Sequence, residues 1–230
     1  MKTRALKAAF PHTIPVLMGY LFLGMAFGIL LSSNGYHFGW AIVMSIFIYA
    51  GSMQFVAVGL LTSGFSVITT ILITLMVNAR HLFYGLSMLT KFSDMGNKKP
   101  YMIFSLTDET FSLLCSINVP KDIDTNWFYF FIALLNHSYW ILGSMIGGIV
   151  GSLFTFNTKG IDFVMTALFV VIFINQWKSN HNHTPALIGI FAAIICLLIF
   201  GPQSFIIPSM ISISLVLTSL HRPIAEREIK

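Results

Sequence analysis

Charged residues are scarce in this chain. Of its 230 residues, 13 are Lys or Arg and 8 are Asp or Glu, so 9% are charged, whereas soluble domains carry about 25%. The hydrophobic fraction is 56% and the mean hydropathy is +0.83. So few charges could not cover the surface of a soluble fold. The composition therefore excludes a soluble protein and predicts an integral membrane protein of the helical class.

The chain has only two cysteines, and the common catalytic sequence motifs are absent. Cys115 and Cys196 both lie in apolar stretches, so neither a disulfide framework nor a cysteine metal site is predicted. The HExxH, GxSxG and GxxxxGKS/T motifs are absent, as is the dinucleotide-binding fingerprint. We therefore predict no enzymatic activity, no bound metal and no cofactor.

Three long stretches without charged residues indicate how the chain is divided: 8–79, 125–158 and 179–221. A membrane-spanning helix needs about 20 apolar residues, because the hydrocarbon layer is about 30 Å thick. The sequence predicts an all-α polytopic membrane protein with seven to eight hydrophobic helical segments in a single transporter domain over 1–230. Residues 1–10 and 221–230 are predicted to be cytoplasmic ends. The predicted segments are 11–31, 39–61, 66–90, 101–118, 127–155, 161–177, 185–200 and 202–220.

The net charge of +5 is distributed in a way that predicts topology rather than binding to nucleic acid. Lys and Arg cluster at 2–7, 91–99 and 222–230, as expected of cytoplasmic loops. An even number of crossings should separate the clusters, yet three and five segments lie between them. We therefore predict that 101–118, and either 39–61 or 66–90, is discontinuous or re-entrant. Eight plain spans with one basic loop outside remain the alternative.

Charged residues inside the apolar segments are the main candidates for a site. A charge at mid-bilayer costs roughly 2.5–3.5 kcal/mol, so it usually faces a partner or water. Arg80 and Tyr84 are spaced to share one helix face, whereas the successive Asp108 and Glu109 cannot. Arg80 could simply pair with one of these acids, or it could attract a substrate carboxylate while an acid binds an ammonium group or a proton. Thr107 before two acids also predicts a helix N-terminus within 101–118.

Glycines spaced by four residues occur in two predicted segments, at Gly24 and Gly28 and at Gly143, Gly147 and Gly151. Such stripes let helix backbones approach closely. Packing within this chain is one interpretation, and coverage by another membrane chain is the other.

Four stretches together resemble a known family. They are 49–55 (Tyr-Ala-Gly-Ser-Met-Gln-Phe), 78–85 (Asn-Ala-Arg-His-Leu-Phe-Tyr-Gly), 107–111 (Thr-Asp-Glu-Thr-Phe) and 160–163 (Gly-Ile-Asp-Phe). In this order they resemble the large subunit of azaleucine-resistance (AzlC-type) branched-chain amino-acid permeases, over about 11–220. The resemblance implies an exporter of branched-chain amino acids, sometimes also of methionine, in the bacterial plasma membrane. It also implies coupling to the proton-motive force and a small integral-membrane partner subunit of the AzlD type.

A zwitterionic aliphatic amino acid needs a cation, an anion or carbonyl group, and an apolar pocket, which fits the polar residues found here. The substrate-binding candidates are Arg80, Gln54, Asn78, Tyr84, Asp108 and Asn136. Proton coupling needs a group whose protonation differs between two access states, and the candidates are Glu109, Asp108, His81 and His137. A channel or permease for another small solute and an intramembrane enzyme remain open alternatives.

Overall fold

A computed structural model describes residues 2–64, 66–154, 182–201 and 205–220, with isolated helical positions between 163 and 178. The predicted tail 221–230, most of segment 161–177 and the 160–162 part of the fourth motif lie outside the described residues. The described secondary structure is helical throughout. The helices are α1 (Lys2–Ser33), α2 (Phe38–Phe47), α3 (Gly51–Ser63), α4 (Val67–Met88), α5 (Lys99–Phe104), α6 (Asp108–Ser116), α7 (Thr125–Leu153), α8 (Thr184–Phe200) and α9 (Ile206–Ser219), and a 3-10 turn, Gly96–Lys98, precedes α5.

The chain forms two compact units, Met1–Met165 and Thr166–Lys230. In the second unit, α8 and α9 pack against each other. Helix α8 ends at Phe200, where Gly201 adopts a positive φ of 72°. The predicted boundary between segments 185–200 and 202–220 is therefore confirmed.

Helices α1 and α7 form the centre of the first unit and pack through their glycines. A Cβ on Gly28 would overlap the backbone of Ser144 and Gly148, and a Cβ on Gly147 would overlap the backbone of Met25. Contact this close is possible only where side chains are absent. Packing within the chain is therefore confirmed, and coverage of these glycines by another membrane chain is wrong.

Contacts along α1 and α7 show that the two helices are parallel. The ammonium group of Lys2 lies 4.5 Å from the ring of Trp127, and Lys98 lies 4.1 Å from the same ring. At the opposite end, the Ser32 hydroxyl donates to the Gly148 carbonyl at 2.9 Å. We call the end at Trp127 the lysine end and the end at Gly148 the far end.

Helices α2 and α3 form a hairpin that enters from the far end and returns to it. Gly148 packs against α2 at Phe38, whereas the Ser45 carbonyl, two turns later, contacts His137 of α7. After the tip at 48–50, α3 runs back along α1, and its Phe55 packs on Phe27 with ring centroids 5.8 Å apart. The predicted segment 39–61 is thus two half-helices that double back.

Helices α5 and α6 form a second hairpin, which enters from the lysine end. Tyr101 of α5 packs on Phe130 near the start of α7, with ring centroids 5.5 Å apart. After the tip at 105–107, α6 returns, and Lys91 donates to the Leu114 carbonyl at 2.6 Å. The two hairpins therefore enter from opposite ends, and the prediction that 101–118 does not cross as one helix is confirmed.

Helix α4 runs from the far end to the lysine end. Its residue Thr70 lines a cavity with Leu31 of α1, whereas Met88 belongs to a buried cluster with Ala9 and Phe128. Of the described helices, α1, α4 and α7 are long and apolar enough to span a membrane. Of the two candidates between the first and second basic clusters, the discontinuous segment is therefore 39–61 and not 66–90. Eight plain spans do not fit the described residues.

The beginning of α1 differs from its predicted position. The helix starts at Lys2 instead of residue 11, and it contains Pro11 and Pro15. Ala5 and Ala9 are fully buried, so packing holds this first part helical despite the two prolines. The predicted N-terminal segment 1–10 is therefore part of the helix from Lys2 onward.

Candidate functional site

Asp108 is bound on both carboxylate oxygens by residues of α4. The Nη1 of Arg80 lies 3.0 Å from Oδ2, and the Tyr84 hydroxyl donates to Oδ1 at 2.5 Å. Arg80 and Tyr84 share a helix face, as their spacing predicts. The side chains of Arg80 and Asp108 remain 26% and 19% exposed, so a small molecule can still approach the pair.

Arg80 also contacts the first hairpin. Its Nη2 donates to the hydroxyl of Ser52 at 2.7 Å. Ser52 is 3% exposed and is the second residue of α3, directly after the hairpin tip. The guanidinium thus connects α3, α4 and α6.

Glu109 faces a different neighbour from Asp108, as successive helix positions require. The buried hydroxyl of Tyr20 donates to Oε2 of Glu109 at 2.7 Å and lies 2.7 Å from the Thr107 hydroxyl. Thr107 caps α6 by accepting from the Thr110 amide, and this confirms the predicted helix N-terminus. Glu109 is therefore linked to α1 by a hydrogen bond.

His137 lies between the two hairpin tips. Its Nε2 is 3.0 Å from the Ser45 carbonyl of α2, and its Nδ1 is 3.0 Å from the Tyr101 hydroxyl of α5. Since a carbonyl only accepts, Nε2 carries the hydrogen. Tyr49, at the first tip, stacks on His137 with ring centroids 4.1 Å apart and has a positive φ of 42°. His137 therefore joins the two hairpins.

Two asparagines present unused acceptors near these groups. Asn136 is fully buried and donates from Nδ2 to the Thr110 hydroxyl at 3.1 Å. Its Oδ1 and the Oδ1 of Asn78 are both buried without a hydrogen-bond partner among the described residues. The backbone carbonyl of Asn78 lies 3.2 Å from Nδ1 of His81. Because unsatisfied buried acceptors are unfavourable, each asparagine is a candidate to accept from a ligand.

Gln54 is buried and bonded within the protein at both ends of its amide. Its Oε1 accepts from the Trp140 indole at 2.8 Å, and its Nε2 donates to the Ser45 hydroxyl at 3.2 Å. These bonds hold α3 against α7 and α2. As a substrate-binding candidate, Gln54 is the least available of the predicted residues.

Sequence reasoning did not select Ser52, Tyr20, Tyr49 or Tyr101 as site residues. Ser52 and Tyr49 lie in the 49–55 motif, which was a usable signal, whereas Tyr20 lies in an apolar segment without any charge. Among the described residues, no three His, Cys, Asp or Glu side chains are grouped so that they could hold a metal ion.

The geometry brings the two hairpin tips together beside Asn136 and His137. The rings of Tyr49 and Phe104 are 6.3 Å apart, and Tyr20 contacts Thr107 at the second tip. Irregular backbone is tolerated at membrane depth only where protein or a wet cavity surrounds it. In transporters, helices broken in this way form substrate and ion sites. The arrangement can therefore hold the positive charge of Arg80 and the negative charge of Asp108 at a site formed within the protein.

The family described as "AzlC protein" matches residues 15–154. This stretch contains both hairpins, α4, α7 and most of α1. The chain belongs to the AzlC family. All nine candidate residues predicted from the sequence lie within the stretch that matches AzlC.

Several relatives are similar to this AzlC-family chain over most of its length. "Branched-chain amino acid transport protein AzlC" of Bacillus subtilis (strain 168) is 51% identical over 98% of this chain and 89% of that protein. An "Uncharacterized membrane protein" of Helicobacter pylori (strain J99 / ATCC 700824) is 47% identical over 93% of this chain and 94% of that protein. "Inner membrane protein YgaZ" of Escherichia coli (strain K12) is 26% identical over 79% of this chain and 78% of that protein.

No solved structure matches the chain. The all-helical fold, the apolar helices and the membrane-protein relatives agree with one another. The AzlC-family chain is a helical membrane protein.

Proposed function

We propose that this protein is a secondary transporter, and not an enzyme, that exports branched-chain amino acids across the bacterial plasma membrane. The observation that carries the proposal is the Arg80–Asp108 pair, partly exposed beside two hairpin tips that meet within the protein. The name of the Bacillus subtilis relative, which is 51% identical, supports the substrate class.

A zwitterion fits this pair because each of its charges has a counterpart. The planar guanidinium of Arg80 can bind a substrate carboxylate through two parallel hydrogen bonds, and Asp108 can accept from the ammonium group. Substrate binding would then exchange the internal ion pair for two pairs with the ligand, which limits the cost of separating Arg80 from Asp108.

Export is proposed to be driven by the proton-motive force, with Glu109 as the proton-binding group. Glu109 follows Asp108 in α6 and accepts a hydrogen bond from Tyr20 of α1 at 2.7 Å. A proton on Glu109 would change the link between the α5–α6 hairpin and α1. Asp108, His81 and His137 are the remaining candidates for this role.

A small integral-membrane subunit of the AzlD type is proposed as the partner. The glycines of α1 and α7 do not support this proposal, because each helix already covers those of the other. The proposal depends on the family resemblance, and co-expression tests it. The partner should raise both the yield and the export activity, whereas full export by the 230-residue chain alone in a strain lacking both subunits would exclude it.

The transport proposal is tested in liposomes that contain the purified chain, with and without the small subunit. Leucine efflux should follow an imposed proton gradient and exceed the efflux from liposomes containing Arg80→Gln. External leucine should also accelerate the release of labelled internal leucine, as a carrier requires and an open channel does not. Absence of both effects with correctly inserted protein would reject the proposed function.

A further inference from the structure

A cavity of about 660 Å³ lies on the far-end side of the candidate site. It extends from Tyr36, in the loop between α1 and α2, and Gly64, after α3, to Ile48, at the tip of the α2–α3 hairpin, and Met53, in the first turn of α3. Its volume is within the roughly 300–1,000 Å³ of typical small-molecule pockets. The walls from α1, α2 and α3 are mainly apolar and include Leu31, Trp40, Met44, Ala57 and Leu60.

The wall contributed by α4 is different, because it presents polar groups in a line. Thr70 and Thr74 line the cavity, and Asn78 lies one turn further along the same helix face. The buried Oδ1 of Asn78 has no hydrogen-bond partner among the described residues. This line of polar groups leads from the far end to Asn78.

The floor of the cavity is next to the residues that hold Arg80. Met53 lines the cavity, and its neighbour Ser52 accepts a hydrogen bond from Arg80 at 2.7 Å. The cavity therefore ends one residue from the hydrogen bond between Ser52 and Arg80, and a ligand with its apolar part in the cavity has its polar end near Asn78 and this bond.

The lysine-end half of the same unit is packed differently. A cluster of buried apolar side chains fills it between α1, α4, the α5–α6 hairpin and α7; its members include Ala9, Met88, Phe92, Met102, Leu114 and Phe128. The cavity thus lies on the far-end side of the unit, and a buried apolar cluster lies on the lysine-end side.

We propose that this cavity is the access chamber for an amino acid with an aliphatic side chain, which contacts the apolar walls while its polar end lies at the end of the polar line of α4, next to Asn78. The conformation described here is then open toward the far end and closed toward the lysine end. This inference rests on the proposed function and adds to it the subsite for the side chain and the route to the charged pair.

Cysteine labelling tests the chamber directly. In a background with Cys115→Ser and Cys196→Ser, Thr74→Cys places a thiol on the cavity wall. Leu75→Cys is the matched control, since Leu75 is at nearly the same depth but 64% exposed on the outer surface of the helix. An impermeant thiol reagent is applied from each side of the membrane in turn, and Asn97→Cys marks the lysine end.

Thr74→Cys should react from the side on which Asn97→Cys does not. Leucine at about ten times its dissociation constant should slow this reaction about tenfold, because only about one site in eleven stays free. Leu75→Cys should show no leucine effect. The proposed chamber would be contradicted if the Thr74→Cys thiol did not react from the far end. It would also be contradicted if leucine did not change the rate of this reaction.

A second variant changes the volume of the chamber without touching its polar groups. Ala57→Phe fills part of the apolar wall, so it should raise the KM for leucine more than the KM for alanine. Equal effects on both substrates would also overturn the inference. Leucine efflux by the cysteine-free background separates this result from failure of the proposed function, since efflux can persist when the chamber is wrong.

Discussion

Arg80 and Asp108 form an ion pair of 3.0 Å between helices that reach it along different routes. Arg80 is on α4, which runs through the unit from end to end, whereas Asp108 begins the returning half of a hairpin that enters from the lysine end. The pair is braced by Tyr84 on one side and Ser52 on the other. Movement of either hairpin would therefore alter the environment of the charges.

Removing one member of the pair should reduce the stability of the protein. Arg80→Gln or Asp108→Asn leaves a partly buried charge unpaired, which costs about 3–5 kcal/mol when burial is complete, and less here because both side chains are partly exposed. The double variant Arg80→Gln, Asp108→Asn should recover most of the decrease in melting temperature caused by either single substitution. Thermal unfolding in detergent measures this, with Arg80→Gln plus Glu109→Gln as the control that should not recover.

Transport should respond differently from stability in the same variants. If Arg80 binds the substrate carboxylate, the double variant Arg80→Gln, Asp108→Asn stays inactive although it inserts and folds. Losing a charged hydrogen bond of about 1.5–3 kcal/mol would weaken leucine binding about ten- to hundredfold. Arg80→Lys should also be impaired, since an ammonium group replaces the planar guanidinium poorly. Recovered efflux in the double variant would show that the pair is only structural.

Two glycine-to-alanine substitutions should show whether stability depends on close helix packing or on helix propensity. Gly28→Ala adds a methyl group against the backbone of α7, so we expect a loss of about 1–3 kcal/mol. Gly59→Ala is the matched control, because nothing lies within 4 Å of its added Cβ. Its stability should be equal to or slightly above that of the parent. Equal melting temperatures for the two variants would contradict the close packing of α1 and α7.

Local chemistry explains which parts of the fold could be predicted. Thr107 followed by Asp108 and Glu109 is a capping pattern, and it located the start of α6 from the sequence alone. The counting of basic clusters likewise indicated one non-crossing segment on each side of residues 91–99. Both signals depend on a few polar residues in an apolar background.

Tertiary contacts explain what could not be predicted. The choice between 39–61 and 66–90 depended on Tyr49, whose positive φ is stabilised by stacking on His137, far away in the chain. The Tyr20–Glu109 bond likewise joins residues separated by most of the first unit. Because Tyr20 lies in a segment without any charge, composition and spacing offered no reason to select it.

The orientation of the lysine end can be measured with introduced cysteines. Under the positive-inside rule, Ser93→Cys and Asn97→Cys should be shielded from an impermeant thiol reagent in intact cells. Tyr36→Cys, at the opposite end of the unit, should react readily in the same cysteine-free background. Labelling of Asn97→Cys but not of Tyr36→Cys would reverse the predicted topology.

Glu109→Gln should separate proton coupling from substrate binding. The amide keeps an oxygen that can accept from Tyr20 but cannot bind and release the transported proton. Uphill export driven by a proton gradient should therefore be lost. Exchange of internal for external leucine should persist, since exchange needs only reorientation of the loaded carrier.

Tyr20→Phe is the matched control for that experiment, because it removes the Tyr20–Glu109 hydrogen bond but leaves the carboxyl group. We expect it to keep uphill export at a reduced rate, with a stability loss of about 1 kcal/mol. Liposome assays of gradient-driven efflux and of leucine exchange, made on both variants, give the comparison. If Glu109→Gln loses exchange and uphill export to the same extent, Glu109 is not the proton site, and Asp108, His81 or His137 takes that role.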